Sequence, residues 1–196
     1  MRTFADTLRR LLPIVLLVPA AASAATVRYT LDPDHTYPSF EADHMGISTW
    51  RGKFNHSKGW VELDKAGGSG SFEVNIALDS IDFGQDALNA WARGKDFFDL
   101  AHRPQNAVYK GHLTGFVDGA PTRAEGTLTL HGITRPLELR IDHFKCMPHP
   151  MLKREWCGAD ALGSFDRSAY GLDAGKAYGF DMQVALRIQV EALRDK

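Results

Sequence analysis

Alternation between apolar and polar residues is the feature that most constrains the fold of this chain. A period of two places one face of a strand in the core and the other in water. The first clear run has Phe72, Val74, Ile76 and Leu78 on one face. Three later runs repeat the pattern, with apolar positions at Gly126, Leu128 and Leu130, at Leu137, Leu139 and Ile141, and at Met182, Val184, Leu186, Ile188 and Val190. The pattern predicts an all-β domain.

Further strands and one helix complete the predicted elements. Weaker strand patterns cover 27–31, 38–45, 50–54, 58–64, 106–117 and 160–166, and turn sequences separate them. Leu88, Trp91 and Ala92 follow helical spacing between Gln85 and Arg93, and Gly94 is a suitable end for that helix. Eight to ten short antiparallel strands predict a closed barrel or a sandwich, and an eight-stranded barrel has room for one ligand.

The first 24 residues have the pattern of a cleaved secretory signal peptide. Arg9 and Arg10 precede an apolar run from Leu11 to Val18, and small residues follow up to Ala24, the expected cleavage site. A membrane anchor is the alternative, but the apolar run is too short to span a bilayer. The sequence therefore predicts export to the periplasm and a single domain over residues 25–196.

Charge and cysteine content narrow the function classes. Cleavage would leave 20 Lys and Arg against 23 Asp and Glu, a balance that does not favour nucleic-acid binding. Cys146 and Cys157 are predicted to form a structural disulfide that holds one loop. A redox or metal-binding pair is the alternative, but the spacing is not C-x-x-C and no third ligand stands beside it.

Five ordered motifs carry a resemblance to a known family. They are His35-Thr36 before Phe40, His44-Met45-Gly46-Ile47-Ser48 with Gly52-Lys53-Phe54, Asp96-Phe97-Phe98-Asp99 before Pro104, Gly126 through Leu137, and Asp166 through Leu172. In this order, across nearly the whole chain after residue 24, they resemble the YceI-like proteins. The resemblance implies an extended lipocalin-like, eight-stranded antiparallel β-barrel that is often dimeric and has no established catalytic activity.

The resemblance also implies a ligand. Characterised YceI-like proteins bind long apolar molecules in the barrel lumen, such as polyisoprenoids, isoprenoid quinones or fatty amides, and many are periplasmic. Two departures stand out. Leu88, Asn89 and Ala92 replace an Arg-Asp pair and a Leu that are usual in the family, which predicts a change of ligand preference if they shape the barrel mouth. The cysteine-bounded segment is not a general family feature.

Candidate ligand-binding residues follow from the inward-facing positions and the motifs. Phe97 and Phe98 are expected to line or gate the mouth. The remaining candidates are Phe40, His44, Phe54, Val74, Ile76, Tyr109, Leu128, Leu139, Arg167, Leu186 and Ile188. Simple core packing is the alternative role for each aliphatic member, because both roles require the same residue type.

Specific roles are expected for two polar residues. Arg167 is the best candidate to bind an anionic head group, because its guanidinium donates paired hydrogen bonds. A structural ion pair with Asp166 or another carboxylate is the stronger expectation for it. His35 is expected to be a buried, hydrogen-bonded residue near the barrel end.

No catalytic residue, metal site or required cofactor is predicted. The eight histidines are His35, His44, His56, His102, His112, His131, His143 and His149, and none shows metal-ligand spacing. A G-x-S-x-G nucleophile motif is also missing from the sequence. The sequence therefore predicts a lipid carrier or storage protein. An enzyme, redox accessory, or metal or haem binder acting on such a lipid is one alternative, and a stress-induced interaction module with a filled core is another.

Overall fold

The computed structural model describes residues 26–196, which form eleven strands and one α-helix. The signal peptide predicted over residues 1–24 lies outside the described residues. The strands are β1 (Val27–Leu31), β2 (Tyr37–His44), β3 (Ser48–Phe54), β4 (Ser57–Asp64), β5 (Ser69–Ala77), β6 (Ile81–Asp82), β7 (Asn106–Thr114), β8 (Arg123–Leu130), β9 (Ile133–Pro148), β10 (Glu155–Asp166) and β11 (Gln183–Arg194), and the helix is α1 (Asp86–Arg93).

All the strands belong to one antiparallel sheet that closes on itself. The closed ring runs β1-β4-β5-β7-β8-β9-β10-β11 and returns to β1. β2, β3 and β6 extend the sheet from β11, so β1/β2, β3/β4 and β5/β6 act as three composite strands. This eight-stranded barrel confirms the predicted fold and excludes the sandwich.

Strand β11 closes the barrel through two partners on the same edge. Residues 184–189 pair with β2, and residues 192–194 pair with β1. The five-residue turn from Asp32 to Thr36 separates the two partners. The opposite edge of β11 pairs with β10 along eleven residues without a break in register.

The predicted helix forms where helical spacing interrupts the strand pattern. Gln85 caps its N-terminus, because the side-chain oxygen accepts a hydrogen bond from Leu88 N–H. Gly94 ends it and donates its N–H to the Trp91 carbonyl. The helix packs against β6, and Ala92 on its inner face is completely buried. It therefore covers the barrel beside the shortest strand.

Most predicted strand positions are confirmed, with one difference in the β9–β10 hairpin. Alternating patterns predicted strands that end near Ile141 and begin near Asp160, whereas β9 continues to Pro148 and β10 begins at Glu155. A bulge between Asp160 and Ala161 shifts the register inside this pair. The shift breaks the simple alternation, which is why the outer half of the hairpin was missed.

The predicted disulfide is present, and it joins two strands. Cys146 and Cys157 face each other across β9 and β10 with a Cα–Cα distance of 4.0 Å. The bond closes the hairpin whose loop contains Pro150 and Lys153. Cys157 is buried in a small cluster with Tyr29, Leu31, Leu63 and Ala192. The buried disulfide therefore packs the hairpin against the barrel wall near β1.

Replacing both cysteines with serine should lower the free energy of unfolding by about 2–3 kcal/mol, because a short loop in the unfolded chain would no longer be restrained. Urea denaturation of the wild-type and double-variant proteins measures this difference. A reducing agent should destabilise the wild type by a similar amount and leave the double variant unchanged. Equal stability of oxidised wild type and double variant would contradict the role given to the bond.

Candidate functional site: an apolar lumen

The barrel encloses an apolar cavity of about 390 Å³. All eight strands of the barrel, with composite strands counted once, contribute to its walls. The alternating apolar residues identified in the sequence point inward. On β11, for example, Val184, Leu186, Ile188 and Val190 line the cavity. An open lumen of this kind argues against the filled-core alternative.

The structure places twelve of the thirteen candidate ligand-binding residues on the cavity wall. They are Phe40, Phe54, Val74, Ile76, Phe97, Phe98, Tyr109, Leu128, Leu139, Arg167, Leu186 and Ile188. His44 is the exception, since it lies outside the lining set. Direct contact of these side chains with a ligand stays a prediction, because lining a cavity does not identify what fills it.

Aromatic side chains form one connected wall along part of the lumen. Phe40 contacts Phe54 and Phe83 with ring centroids 5.7 and 5.3 Å apart, and Phe54 contacts Phe98 at 6.3 Å. Phe98 continues the series to Phe97 at 4.8 Å. Such contacts stabilise a wall beyond the area that they bury. The wall therefore gives one side of the lumen a fixed shape.

The aromatic wall extends at both ends to partly exposed rings. Phe97 stacks on Trp91 of α1, with ring centroids 5.1 Å apart. At the other end, Trp50 lies 6.3 Å from Phe83 and stacks on His44 at 4.2 Å. Phe180 contacts both Trp50 and His44. His44 therefore supports the outer aromatic residues and does not face the cavity.

Sequence reasoning missed several lining residues. Trp50, Phe83 and Phe180 stand outside the clear alternating runs, although they line the cavity. The inward position of Trp50 could have been predicted, because Trp50 lies two residues before Gly52 and four before Phe54 on the same strand, β3. Phe180 lies in an irregular segment before β11, where periodicity carries no information.

Two of the α1 residues that were expected to depart from the family pattern affect one corner of the site. Leu88 lines the cavity. Asn89 Oδ1 accepts a hydrogen bond from Phe83 N–H at 2.8 Å, and its amide donates to Asp82 Oδ1 at 3.2 Å. These bonds fix the position of Phe83 in the aromatic wall. Leu88 directly, and Asn89 through Phe83, therefore shape the lumen from the α1 side.

Arg167 is a buried cation at the edge of this apolar site. Its exposed fraction is 7%, and burial is the main cause that lowers the pKa of its guanidinium. Nη1 donates to the Leu172 carbonyl at 2.6 Å, and Nη2 donates to the Ala174 carbonyl at 2.7 Å. The guanidinium carbon lies 5.8 Å from the centre of the Phe97 ring.

The prediction that Arg167 forms an ion pair with Asp166 or another carboxylate is wrong. Asp166 accepts hydrogen bonds from the backbone and hydroxyl of Ser168 instead. Within residues 26–196, no carboxylate lies within 4.0 Å of the Arg167 guanidinium. Its direct hydrogen-bond partners are therefore backbone carbonyls, and the charges of Asp166, Asp173 and Asp181 act on it from beyond 4.0 Å.

Tyr109 supplies a second buried polar group in the lumen. Its hydroxyl donates to the Ala124 carbonyl at 2.7 Å and lies 3.1 Å from the Leu137 carbonyl. Burial raises the pKa of the phenol above its ordinary value, and the charges of Glu138 and Glu125 raise it further. The hydroxyl is thus engaged by the wall, and the ring faces the cavity.

This structure defines a class of protein, a closed lipocalin-like β-barrel with an internal apolar cavity. A family model described as the YceI-like domain matches residues 29–192. The chain belongs to the YceI-like family. None of the helices in the described part of the chain is long and apolar enough to cross a membrane.

Curated relatives match most of the chain. A UPF0312 protein of Vibrio cholerae is 31% identical over 132 residues, which cover 67% of this chain and 69% of the relative. A UPF0312 protein of Pectobacterium carotovorum is 28% identical over 190 residues, which cover 94% and 96% of the two chains.

Solved structures share the fold. BcnA of Burkholderia cenocepacia superposes with a TM-score of 0.65 and 19% identity, covering 82% of this chain and 98% of BcnA. A polyisoprenoid binding domain from Saccharophagus degradans has a TM-score of 0.61 and 17% identity, covering 86% of this chain and 99% of that domain.

Replacing Tyr109 with Phe should lower the free energy of unfolding by roughly 1 kcal/mol, because the buried hydrogen bond from the hydroxyl to the Ala124 carbonyl is lost. The ring stays in place, so binding of an apolar molecule in the lumen should change less than about twofold. Chemical denaturation and fluorescence titration with an apolar dye measure the two effects. A large loss of binding with unchanged stability would contradict a structural role for the hydroxyl.

Proposed function

We propose that the protein is a periplasmic carrier or storage protein that binds a long apolar lipid in the barrel lumen. The continuous apolar cavity is the observation that carries the proposal. The ligand class is a polyisoprenoid, an isoprenoid quinone, or a fatty acyl or amide chain. Family membership and the structural similarity to a polyisoprenoid binding domain support this class.

The energetics of the site suit an apolar chain. Burial of apolar surface contributes about 25 cal/mol per Å². A chain that buries several hundred Å² would gain several kcal/mol, even after the cost of ordering it. The lumen offers few polar partners besides Thr36, Asp43 and Arg167, and Asp43 is already bonded to Gly46 N–H. A strongly polar molecule would therefore lose hydration without gaining partners.

The same proposal assigns a role to Arg167. A buried guanidinium without a carboxylate within 4.0 Å attracts a negatively charged or electron-rich group in its vicinity. Arg167 lies near the Phe97 ring at the edge of the apolar cavity, which supports a role at one end of a bound chain. We assign Arg167 to the polar end of the bound lipid, such as a phosphate, a carboxylate or a quinone oxygen.

Cellular location and reaction class are parts of the proposal. The signal-peptide pattern of residues 1–24 supports export to the periplasm. The role proposed is binding without catalysis, with no required cofactor and no nucleic-acid partner. A homodimer is the proposed oligomeric state, and light scattering after size-exclusion chromatography tests it.

Mass spectrometry of an organic extract from natively purified protein should detect a co-purifying lipid with a long apolar chain. The variant Ala161→Phe places a ring into the lumen from β10 and should lose most of this lipid. Ala90→Leu, which adds apolar volume on the exposed face of α1, is the matched control and should retain it. Circular dichroism verifies that each variant is folded.

A lipid-free wild-type protein that also fails to bind polyprenols, quinones and fatty chains in titration would overturn the lipid-binding proposal. Equal lipid content in wild type and a folded Ala161→Phe variant would place the lipid outside the lumen.

Replacing Arg167 with Met should weaken binding of a lipid with an anionic end group at least about tenfold, because a charge-assisted contact is worth more than 1.4 kcal/mol. A neutral lipid with the same chain should lose less than about twofold. Farnesyl phosphate and farnesol form such a pair for fluorescence competition. Equal losses for both lipids would show that Arg167 supports the loop at Leu172 and Ala174 without contacting the ligand.

A further inference from the structure

Three side chains of types that ligate metals meet on the outside of the barrel, and none of them lines the lumen. Asp32 and His35 belong to the turn between β1 and β2, and Glu191 lies on β11. His35 Nδ1 is 2.8 Å from Asp32 Oδ2 and 3.9 Å from Glu191 Oε2. One ligand atom from each residue lies within 4.8 Å of the other two. The His35 side chain is 57% exposed, so the prediction that it is buried is wrong.

Backbone contacts hold this cluster in place. Asp32 N–H donates to the Glu191 carbonyl at 2.9 Å. The Thr36 hydroxyl donates to the same carbonyl and accepts from Glu191 N–H, both at 3.2 Å. Asp32 Oδ1 accepts from Asp34 N–H at 3.0 Å, which leaves Oδ2 directed at His35. The ligand atoms are therefore positioned without requiring an ion to assemble them.

Glu191 has an unexplained polar atom. Its Oε2 is fully buried and has no hydrogen-bond partner in the described part of the chain. A buried carboxylate oxygen without a partner is costly and is uncommon in folded proteins. The His35 Nδ1 atom lies 3.9 Å from it, beyond hydrogen-bond distance. A cation between Glu191 and His35 would supply the missing partner.

The charge of the surroundings also favours a cation. Asp32, Asp34 and Glu191 are carboxylates, and all three act on the His35 ring. His149 is a further titratable group whose charge reaches Asp32. Its Nδ1 accepts from the N–H groups of Met151 and Leu152, so that nitrogen is occupied.

We propose that Asp32, His35 and Glu191 bind a divalent transition-metal ion of the zinc type. Zn–N and Zn–O bonds of about 2.0–2.2 Å place tetrahedral ligand atoms roughly 3.3–3.5 Å apart. The observed separations of 2.8 and 3.9 Å bracket that value. Imidazole suits zinc, copper and nickel, and two carboxylates complete a three-ligand set with room for water in the fourth position.

Sequence spacing alone predicted no metal site, because the third ligand comes from the far end of the chain. His35 and Asp32 are three residues apart, whereas Glu191 is on the last strand. A second group, Cys146, Cys157 and Glu155, has comparable spacing, but its sulfur atoms are joined in the disulfide. Those sulfurs are not available as thiolate ligands.

The position of the Asp32–His35–Glu191 cluster suggests that a bound ion would stabilise barrel closure. The cluster bridges the Asp32–Thr36 turn and β11 at the point where β11 changes its partner from β2 to β1. A bound ion would hold the barrel closed at this point. Ion binding here would not require a lipid, because the cluster lies outside the lumen.

Isothermal titration of metal-free, untagged protein with ZnCl₂ tests the site. The expected result is one Zn²⁺ per chain, with a dissociation constant on the order of micromolar for a three-ligand, partly exposed site. His35→Ala and Glu191→Gln should each weaken binding at least about tenfold. His112→Ala removes an exposed histidine from β7 and is the matched control, which should bind Zn²⁺ as the wild type does.

A thermal unfolding series supplies a second readout. Saturating Zn²⁺ should raise the melting temperature of the wild type and of His112→Ala, and it should not raise that of His35→Ala. Circular dichroism of each variant without metal verifies the fold. No zinc binding by the wild type at 100-fold excess over about 1 µM protein, or wild-type affinity in folded His35→Ala and Glu191→Gln, would overturn the proposal.

Discussion

Closure of the barrel by β11 is the constraint on which the rest of the structure depends. Backbone groups on both edges of β11 need partners, and they find them in β10 on one side and in β2 and β1 on the other. A closed ring of strands has no unpaired edge. Its inward-facing side chains therefore line an internal lumen. The aromatic wall and Arg167 acquire their positions only because this ring closes.

The residues that line the lumen could be predicted from the sequence, because a strand buried on one face has apolar residues at every second position. Phe72, Val74 and Ile76 on β5 show the rule plainly, and all three line the cavity. The position of Phe180 could not be predicted in this way, because it lies in irregular backbone. The outer half of the β9–β10 hairpin was missed because a bulge at Asp160 breaks the alternation.

Polar residues were less predictable than apolar ones, because their partners are set by tertiary contacts. Arg167 stands next to Asp166 in the sequence, yet the carboxylate turns to Ser168 and the guanidinium to two loop carbonyls. His35 and Glu191 meet only because the first turn of the barrel packs on its last strand. Neighbours in the chain gave no information about either arrangement.

The cavity also affects how the molecule responds to compression. A folded protein that encloses about 390 Å³ occupies more volume than its packed atoms require. Unfolding eliminates internal voids, so hydrostatic pressure favours the unfolded chain of such a protein. A lipid that fills the lumen would remove much of this volume difference. Loading would therefore make the barrel resistant to pressure as well as to heat, and the lipid would act as part of its core.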